Sequence, residues 1–333
     1  MTKHDPASLH TAAPDAITRR PTLGYSVYGA VTLIFALNGT VSKSVMQAGM
    51  SAEHLAQLRS TSAFFVLVLL TAALRPSGFR VTRRELGLLA AYGVFGVTMT
   101  NYLYFIAIKE LPVGIALVLE FTAPIWIALW MRFAQKRAVR RQIWLGIALA
   151  LVGLVLVAQV WRGMAISTLG LTAGFGAAAA LTIYYLIGEK IAHQRDPLSL
   201  TMWSFGFSSL FWALVQPWQG FPRHLLGEHA HIPTRGGTVT LPVSWLVAYM
   251  VILGTVVAFS GVNFALRHLT AGQAGLFGMM EPVLASVIAW LALGENLLAV
   301  QIMGGALILA GIATAEFSRS RANPASTAVA YVD

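Results

Sequence analysis

The chain has 333 residues, 57% of them hydrophobic and only 11% charged. A soluble domain carries about 25% charged residues, so composition excludes a soluble fold in favour of a membrane-embedded one. The net charge of +10 would suggest nucleic acid in a soluble protein, but its placement along this chain argues otherwise; with no cysteine, neither a disulfide framework nor a thiolate metal site is possible.

A polar tail over residues 1–22 holds His4, Asp5, Asp15, Arg19 and Arg20. The apolar stretch that follows exceeds the h-region of a signal peptide, about 7–15 residues, and reads as a retained helix. A membrane helix needs about 20 mostly apolar residues. Ten candidates follow in chain order: 23–48, 51–74, 85–108, 112–133, 139–160, 167–189, 198–218, 244–267, 270–293 and 297–318. Most connections are short. The segment 219–243 is polar, with Pro and Gly, and reads as an exposed loop. Between spans 9 and 10 only Gly294, Glu295 and Asn296 interrupt the apolar run. A second polar tail covers 320–333.

Cytoplasmic loops are enriched in Lys and Arg. With the N-terminus inside, the inner segments hold 17 such residues, clustered at Arg75–Arg84 and Arg132–Arg141, and the outer loops hold 4. This asymmetry predicts ten spans with both termini cytoplasmic. It also accounts for the basic charge without nucleic acid.

The chain carries an internal repeat at a shift of 158 residues. Leu111, Gly114, Pro124, Gly146 and Gly153 fall on Leu269, Gly272, Pro282, Gly304 and Gly311, and upstream Gly96 falls on Gly254. The repeats are placed at 23–161 and 162–319. Five spans per repeat is an odd number, so the second repeat enters from the opposite face. The expected fold is all-α, ten transmembrane helices in two inverted five-helix repeats, with a substrate site between them near mid-membrane.

Ionisable groups deep in a span are costly and tend to be functional. At 1.5 Å per residue, Arg59 in span 2 and Glu120 in span 4 both lie roughly 12 Å below the outer face. Equal depth and opposite sign allow either a structural ion pair or a zwitterion site, with Arg59 facing a carboxylate and Glu120 an amine. Asn38 and Asn101 either line the pathway or join helices by hydrogen bonds. Glu281, before Pro282, is the deepest acid of the second half; it and Glu120 are candidates for ion coupling. Among the aromatics, Tyr102, Tyr184 and Trp203 are the substrate-site candidates, with Tyr104 and Tyr185 on similar faces. Pro124 and Pro282 occupy equivalent repeat positions, and each removes a helix hydrogen bond. Matching kinks, as hinges or fixed bends, are expected there. No G-x-x-x-x-G-K-[ST] or H-E-x-x-H is present. His224, His229 and His231 fall in the outer loop without helical ligand spacing, so no metal and no cofactor are assigned.

Glu281-Pro282, the apolar run through Trp290, then Leu293-Gly294-Glu295 and Gly304, Gly305 and Gly311, resemble the second-repeat pattern of the drug/metabolite transporter superfamily. The resemblance is to its ten-helix EamA-type branch, covers nearly the whole chain, and looks similar to the YddG-like exporters of aromatic and other amino acids. The first repeat departs from the pattern, with Ala123 before Pro124 and Gln135-Lys136-Arg137 in place of L-G-E. What the resemblance implies is a bacterial inner-membrane carrier that exports small metabolites by alternating access. Its partners would be a small-molecule substrate and the lipid bilayer; a coupling proton stays open. Export of cationic or aromatic drugs is the rival reading. A membrane-embedded enzyme or a channel belongs to other classes.

Overall fold

The computed structural model describes residues 19–161, 167–234, 236–288, 290–291 and 298–320. The Leu293-Gly294-Glu295 stretch and the two tails, apart from residues 19–22 and 320, lie outside the described residues. Among the described residues, ten helices are long and apolar enough to cross a membrane. They are span 1 Pro21–Gln47, span 2 Ala52–Leu74, span 3 Arg83–Glu110, span 4 Val113–Phe133, span 5 Arg141–Ala158, span 6 Thr168–Ala192, span 7 Pro197–Val215, span 8 Val243–Ala265, span 9 Ala271–Ile288 and span 10 Ala299–Ser318.

Local chemistry sets many of the boundaries. Ser51 accepts a bond from the His54 amide at the start of span 2. Ser167 does the same for Gly170 in span 6. Thr82–Glu85 and Thr270–Gln273 form capping boxes at the starts of spans 3 and 9. Each satisfies amides that an apolar surrounding would leave costly.

Inversion of the repeats is visible where their fifth helices cross. A Cβ on Gly146 would lie 2.6 Å from the Gly311 carbonyl oxygen, and one on Gly153 would lie 2.4 Å from that of Gly304. Numbers rise along span 5 as they fall along span 10, so the two are antiparallel. Gly146 is the repeat counterpart of Gly304, and Gly153 of Gly311. The crossing is therefore self-complementary about a pseudo-two-fold axis. Only glycine permits backbones this close. A second pair of contacts obeys the same axis: Gly24 of span 1 packs on Leu269 before span 9, and Gly170 of span 6 packs on Leu111 before span 4.

Four of the spans are irregular inside the bundle. Spans 3 and 8 widen into π-helical turns at Tyr92–Thr98 and Ile252–Val257. Span 4 breaks between Glu120 and Ala123, and span 9 between Gly278 and Glu281. Pro124 and Pro282 each stand at the second position of the helical segment that resumes. Kinks were expected at these prolines; the structure has full interruptions, because proline is tolerated in the first turn of a helix and not within one.

The segment 219–243, read as an exposed loop, is mostly exposed but also ordered. After two short 3-10 turns it forms an antiparallel hairpin, β1 His229–Thr234 and β2 Gly237–Pro242. Phe221, Leu225 and Ala230 are buried in a cluster with Met50, Trp212 and Val243. The polar composition hid these apolar anchors. Among the described residues no three His, Asp or Glu side chains come together to hold a metal ion.

At the end of the bundle where span 1 begins, the repeats are tied by charge. Arg19 meets Glu189 at 3.0 Å and the His193 ring at 3.0 Å, and Glu189 also accepts from the Ala271 amide at 2.8 Å. The Arg20 amide reaches the His268 ring. Burial, then the Arg19 cation, holds His193 below its ordinary pKa; burial, then Arg267, does so for His268.

Two predictions follow from this packing. Gly153→Val forces the span 5–10 crossing apart and lowers the melting temperature of the purified protein by an amount corresponding to about 1–3 kcal/mol, whereas Gly87→Ala, with nothing within 4 Å, leaves it unchanged or raised. For the histidines, the unfolded chain takes up protons more readily than the folded one. Stability is therefore lost as pH falls below about 6.5. A melting-temperature series from pH 7.5 to 5.5 shows that decline, and His193→Gln flattens it.

Candidate functional site

The interior irregularities surround a cavity of about 90 Å³ between the repeats, room for several waters or one small solute. Its wall comes from spans 1, 2, 3, 4, 6, 8 and 9.

Arg59 forms one side. It is 4% exposed, and a buried guanidinium persists only if its donors are met. Nε donates to Thr255 Oγ1 at 2.6 Å, one terminal nitrogen to Asn101 Oδ1 at 2.8 Å, and the other to the Gly254 carbonyl at 2.7 Å. Phe105 and Phe259 flank its planar group at 5.7 and 5.6 Å, a cation–π arrangement. The acceptors are themselves fixed. Asn101 Nδ2 donates to the Val97 carbonyl at 2.7 Å. Thr255 Oγ1 donates to the Met250 carbonyl, five residues back, at 2.7 Å. Elsewhere in the chain, as at Thr32 and Ser42, such bonds run four residues back. The wider π-helical turn brings the fifth carbonyl into reach. Thr98 repeats the device in span 3, donating to the Gly93 carbonyl at 2.9 Å.

Glu120 and Glu281 form the other polar element. Glu120 ends the first half of span 4, and Glu281 starts the second half of span 9. Both line the cavity, and they are within electrostatic reach of each other. Neither accepts a hydrogen bond from another side chain or a backbone amide outside its own helix among the described residues. No ion pair joins Glu120 to Arg59, although equal depth made one possible. The guanidinium turns instead toward spans 3 and 8.

Tyrosines pack around the carboxylates. The hydroxyls of Tyr28 and Tyr185 are hydrogen-bonded to each other. Tyr184 stacks on Tyr92 with centroids 5.0 Å apart, and Tyr92 donates to Asn263 Oδ1 at 2.6 Å. Two cavity residues follow the pseudo-two-fold: Asn38 lies over Gly254 in the π turn of span 8, and Tyr184 over Gly96 in the π turn of span 3.

Of the residues singled out from sequence, Arg59, Glu120, Asn38, Asn101, Tyr184 and Glu281 share the cavity. Tyr102 does not. Thr100, Asn101 and Tyr104 point inward from span 3, and Tyr102 turns away to meet Glu53 at 3.2 Å and pack on Trp212. Trp203 is also elsewhere: its indole donates to the Gly78 carbonyl at 3.1 Å, in the connection between spans 2 and 3. Span 7 does not reach the cavity. Thr255, Tyr28 and Phe259 escaped the sequence reading. Their signal, a threonine one residue after the repeated Gly254, is legible only once the π turn is known.

A sequence model of the EamA-like transporter family matches residues 22–159 and again residues 168–315. The chain belongs to the EamA-like transporter family. The threonine/homoserine exporter RhtA of Escherichia coli (strain K12) is 29% identical over 250 residues, 74% of this chain and 76% of its own length. An uncharacterized transporter of Archaeoglobus fulgidus is 26% identical over 284 residues, 85% of this chain and 93% of its own. One crystal structure aligns with a TM-score of 0.70 over 91% of this chain and 99% of its own. At 18% identity that likeness shows the shared fold alone. The protein is a multi-pass membrane transporter of ten helices in inverted repeats.

Thr255 gives this subsection its test. Thr255→Val leaves Arg59 Nε and the Met250 carbonyl without their partner, a loss of about 1–3 kcal/mol. Thr255→Ser keeps the hydroxyl. Thermal unfolding shows a clear drop for the valine variant and a near-native value for the serine variant.

Proposed function

We propose that this transporter exports amino acids or similar small amphiphilic metabolites across the inner membrane by alternating access, with both termini cytoplasmic. The observation that carries the reading is the polarity of the cavity: a fixed guanidinium on one side and two unpaired carboxylates on another. Arg59 has five N–H groups, and three are engaged by Asn101, Thr255 and Gly254. The remaining donors suit a carboxylate. Glu120 and Glu281 suit an ammonium group. Asn38 and Tyr184 lie within the same wall and would meet the substrate side chain. The name of the RhtA relative supports an amino-acid substrate.

In this mechanism the repeats rock about the glycine crossing of spans 5 and 10. Pro124 and Pro282 act as hinges beside the two helix breaks. The Arg19–Glu189–His193 cluster closes the cytoplasmic end. The basic residues at Arg132–Arg141 face the cytoplasm.

A second reading, export of cationic aromatic compounds, is favoured by the two carboxylates and the surrounding tyrosines. It makes no use of Arg59. Radiolabelled uptake into proteoliposomes separates the two. For an amino-acid exporter, uptake from an amino-acid panel saturates, and lipophilic cations do not compete. Arg59→Gln weakens apparent affinity by about 10-fold or more, the loss of at least one charge-assisted hydrogen bond. If zwitterion uptake is unchanged in both Arg59→Gln and Glu120→Gln, the cavity is not the amino-acid site. Uptake of cations alone supports the drug reading.

A further inference from the structure

We propose that Glu120 and Glu281 form one shared cation site, filled by a proton when the cavity is empty and by the substrate's ammonium group when it is loaded. Binding of substrate then releases a proton, which makes the carrier an exchanger of amino acid for protons. The proposal rests on the amino-acid reading above and adds the coupling to it.

The argument is geometric. The two carboxylates come from opposite repeats, Glu120 from the break in span 4 and Glu281 from the break in span 9. They are not repeat counterparts: the shift of 158 places Gly278 opposite Glu120 and Ala123 opposite Glu281. Each break therefore contributes one acid, on opposite sides of the interruption. The groups facing them offer no counter-charge. Tyr28 from span 1, Tyr104 from span 3, and Tyr184 and Tyr185 from span 6 are neutral. Span 8 presents Phe259 and Val262. Arg59 from span 2 is held by Thr255, Asn101 and Gly254. Two like charges close together in a medium of low polarity cannot both stay ionised, so a proton is retained.

The helix ends decide where it resides. Glu120 is the last residue of the segment Val113–Glu120, where the helix dipole disfavours an anion. Glu281 is the first residue of the segment Glu281–Ile288, where the dipole favours one. Of the two acids, Glu120 is therefore the one that holds the proton more firmly. An ammonium group between them supplies the positive charge that lets Glu120 ionise, and the proton departs to water.

Protein in lipid nanodiscs, titrated with L-threonine at pH 7 in buffers of differing ionisation enthalpy, reports the protons released on binding. The native protein releases a substantial fraction of a proton, up to about one, per threonine bound. Glu120→Gln and Glu281→Gln each remove the like-charge pair, and release falls to near zero. In proteoliposomes both variants lose the effect of a pH gradient; each also removes one arm of the ammonium site, so apparent affinity for threonine falls, and a near-native melting temperature shows that they are folded. Threonine binding by the native protein without proton release overturns the coupling and leaves the amino-acid reading standing. Release that survives in both variants also overturns it. Absence of threonine binding removes both readings together.

Discussion

Within a bilayer there is no water to accept a stray amide or carbonyl, so each departure from regular helix must be repaired by the protein itself. This constraint shapes the transporter more than any single contact. Spans 3 and 8 relax into π turns, and spans 4 and 9 stop and restart. These irregularities gather around the cavity, where side chains from neighbouring spans can reach them. The repairs become the site. Thr255 closes the turn of span 8 and in doing so orients Arg59; the Gly254 carbonyl takes another of its donors. Energy that a soluble protein would leave to solvent is here supplied by named partners.

The scaffold is nearly symmetric and the chemistry is not. Glycines at the span 5–10 crossing, the π turns of spans 3 and 8, and the breaks beside Pro124 and Pro282 all obey the pseudo-two-fold. Such symmetry gives two related conformations from one set of packing surfaces, which is what alternating access needs. The ionisable groups break it. Arg59 belongs to the first repeat alone, and the two acids sit at different positions relative to their breaks. A symmetric frame with an asymmetric lining can move equally in both directions and still hold a polar substrate in one orientation.

Much of the architecture was legible in the chain. Ten spans follow from hydropathy, a property summed over neighbours in sequence. The inverted repeat follows from an odd number of spans and from glycines and prolines in register. Arg59, Glu120, Glu281, Asn38 and Asn101 stood out because polar groups in hydrocarbon are costly wherever they point. Aromatic residues carry little of that cost, so the sequence does not separate Tyr184, which lines the cavity, from Tyr102 and Trp203, which do not. One step along a helix turns a side chain by about 100°, which is enough to take Tyr102 from the cavity to Glu53.

Sequence by itself determined which segments are long and apolar enough to cross a membrane, where along each span a polar residue falls, and that the halves oppose each other. These are properties of position along one axis, and a chain encodes that axis directly. Tertiary structure decided how each helix is rotated and what it meets. It turned Arg59 away from Glu120 and toward Thr255, brought Glu120 and Glu281, 161 residues apart, to one cavity, and anchored a polar segment through Phe221, Leu225 and Ala230. Rotation depends on packing between segments distant in the chain, where a glycine at the right crossing matters more than any local preference.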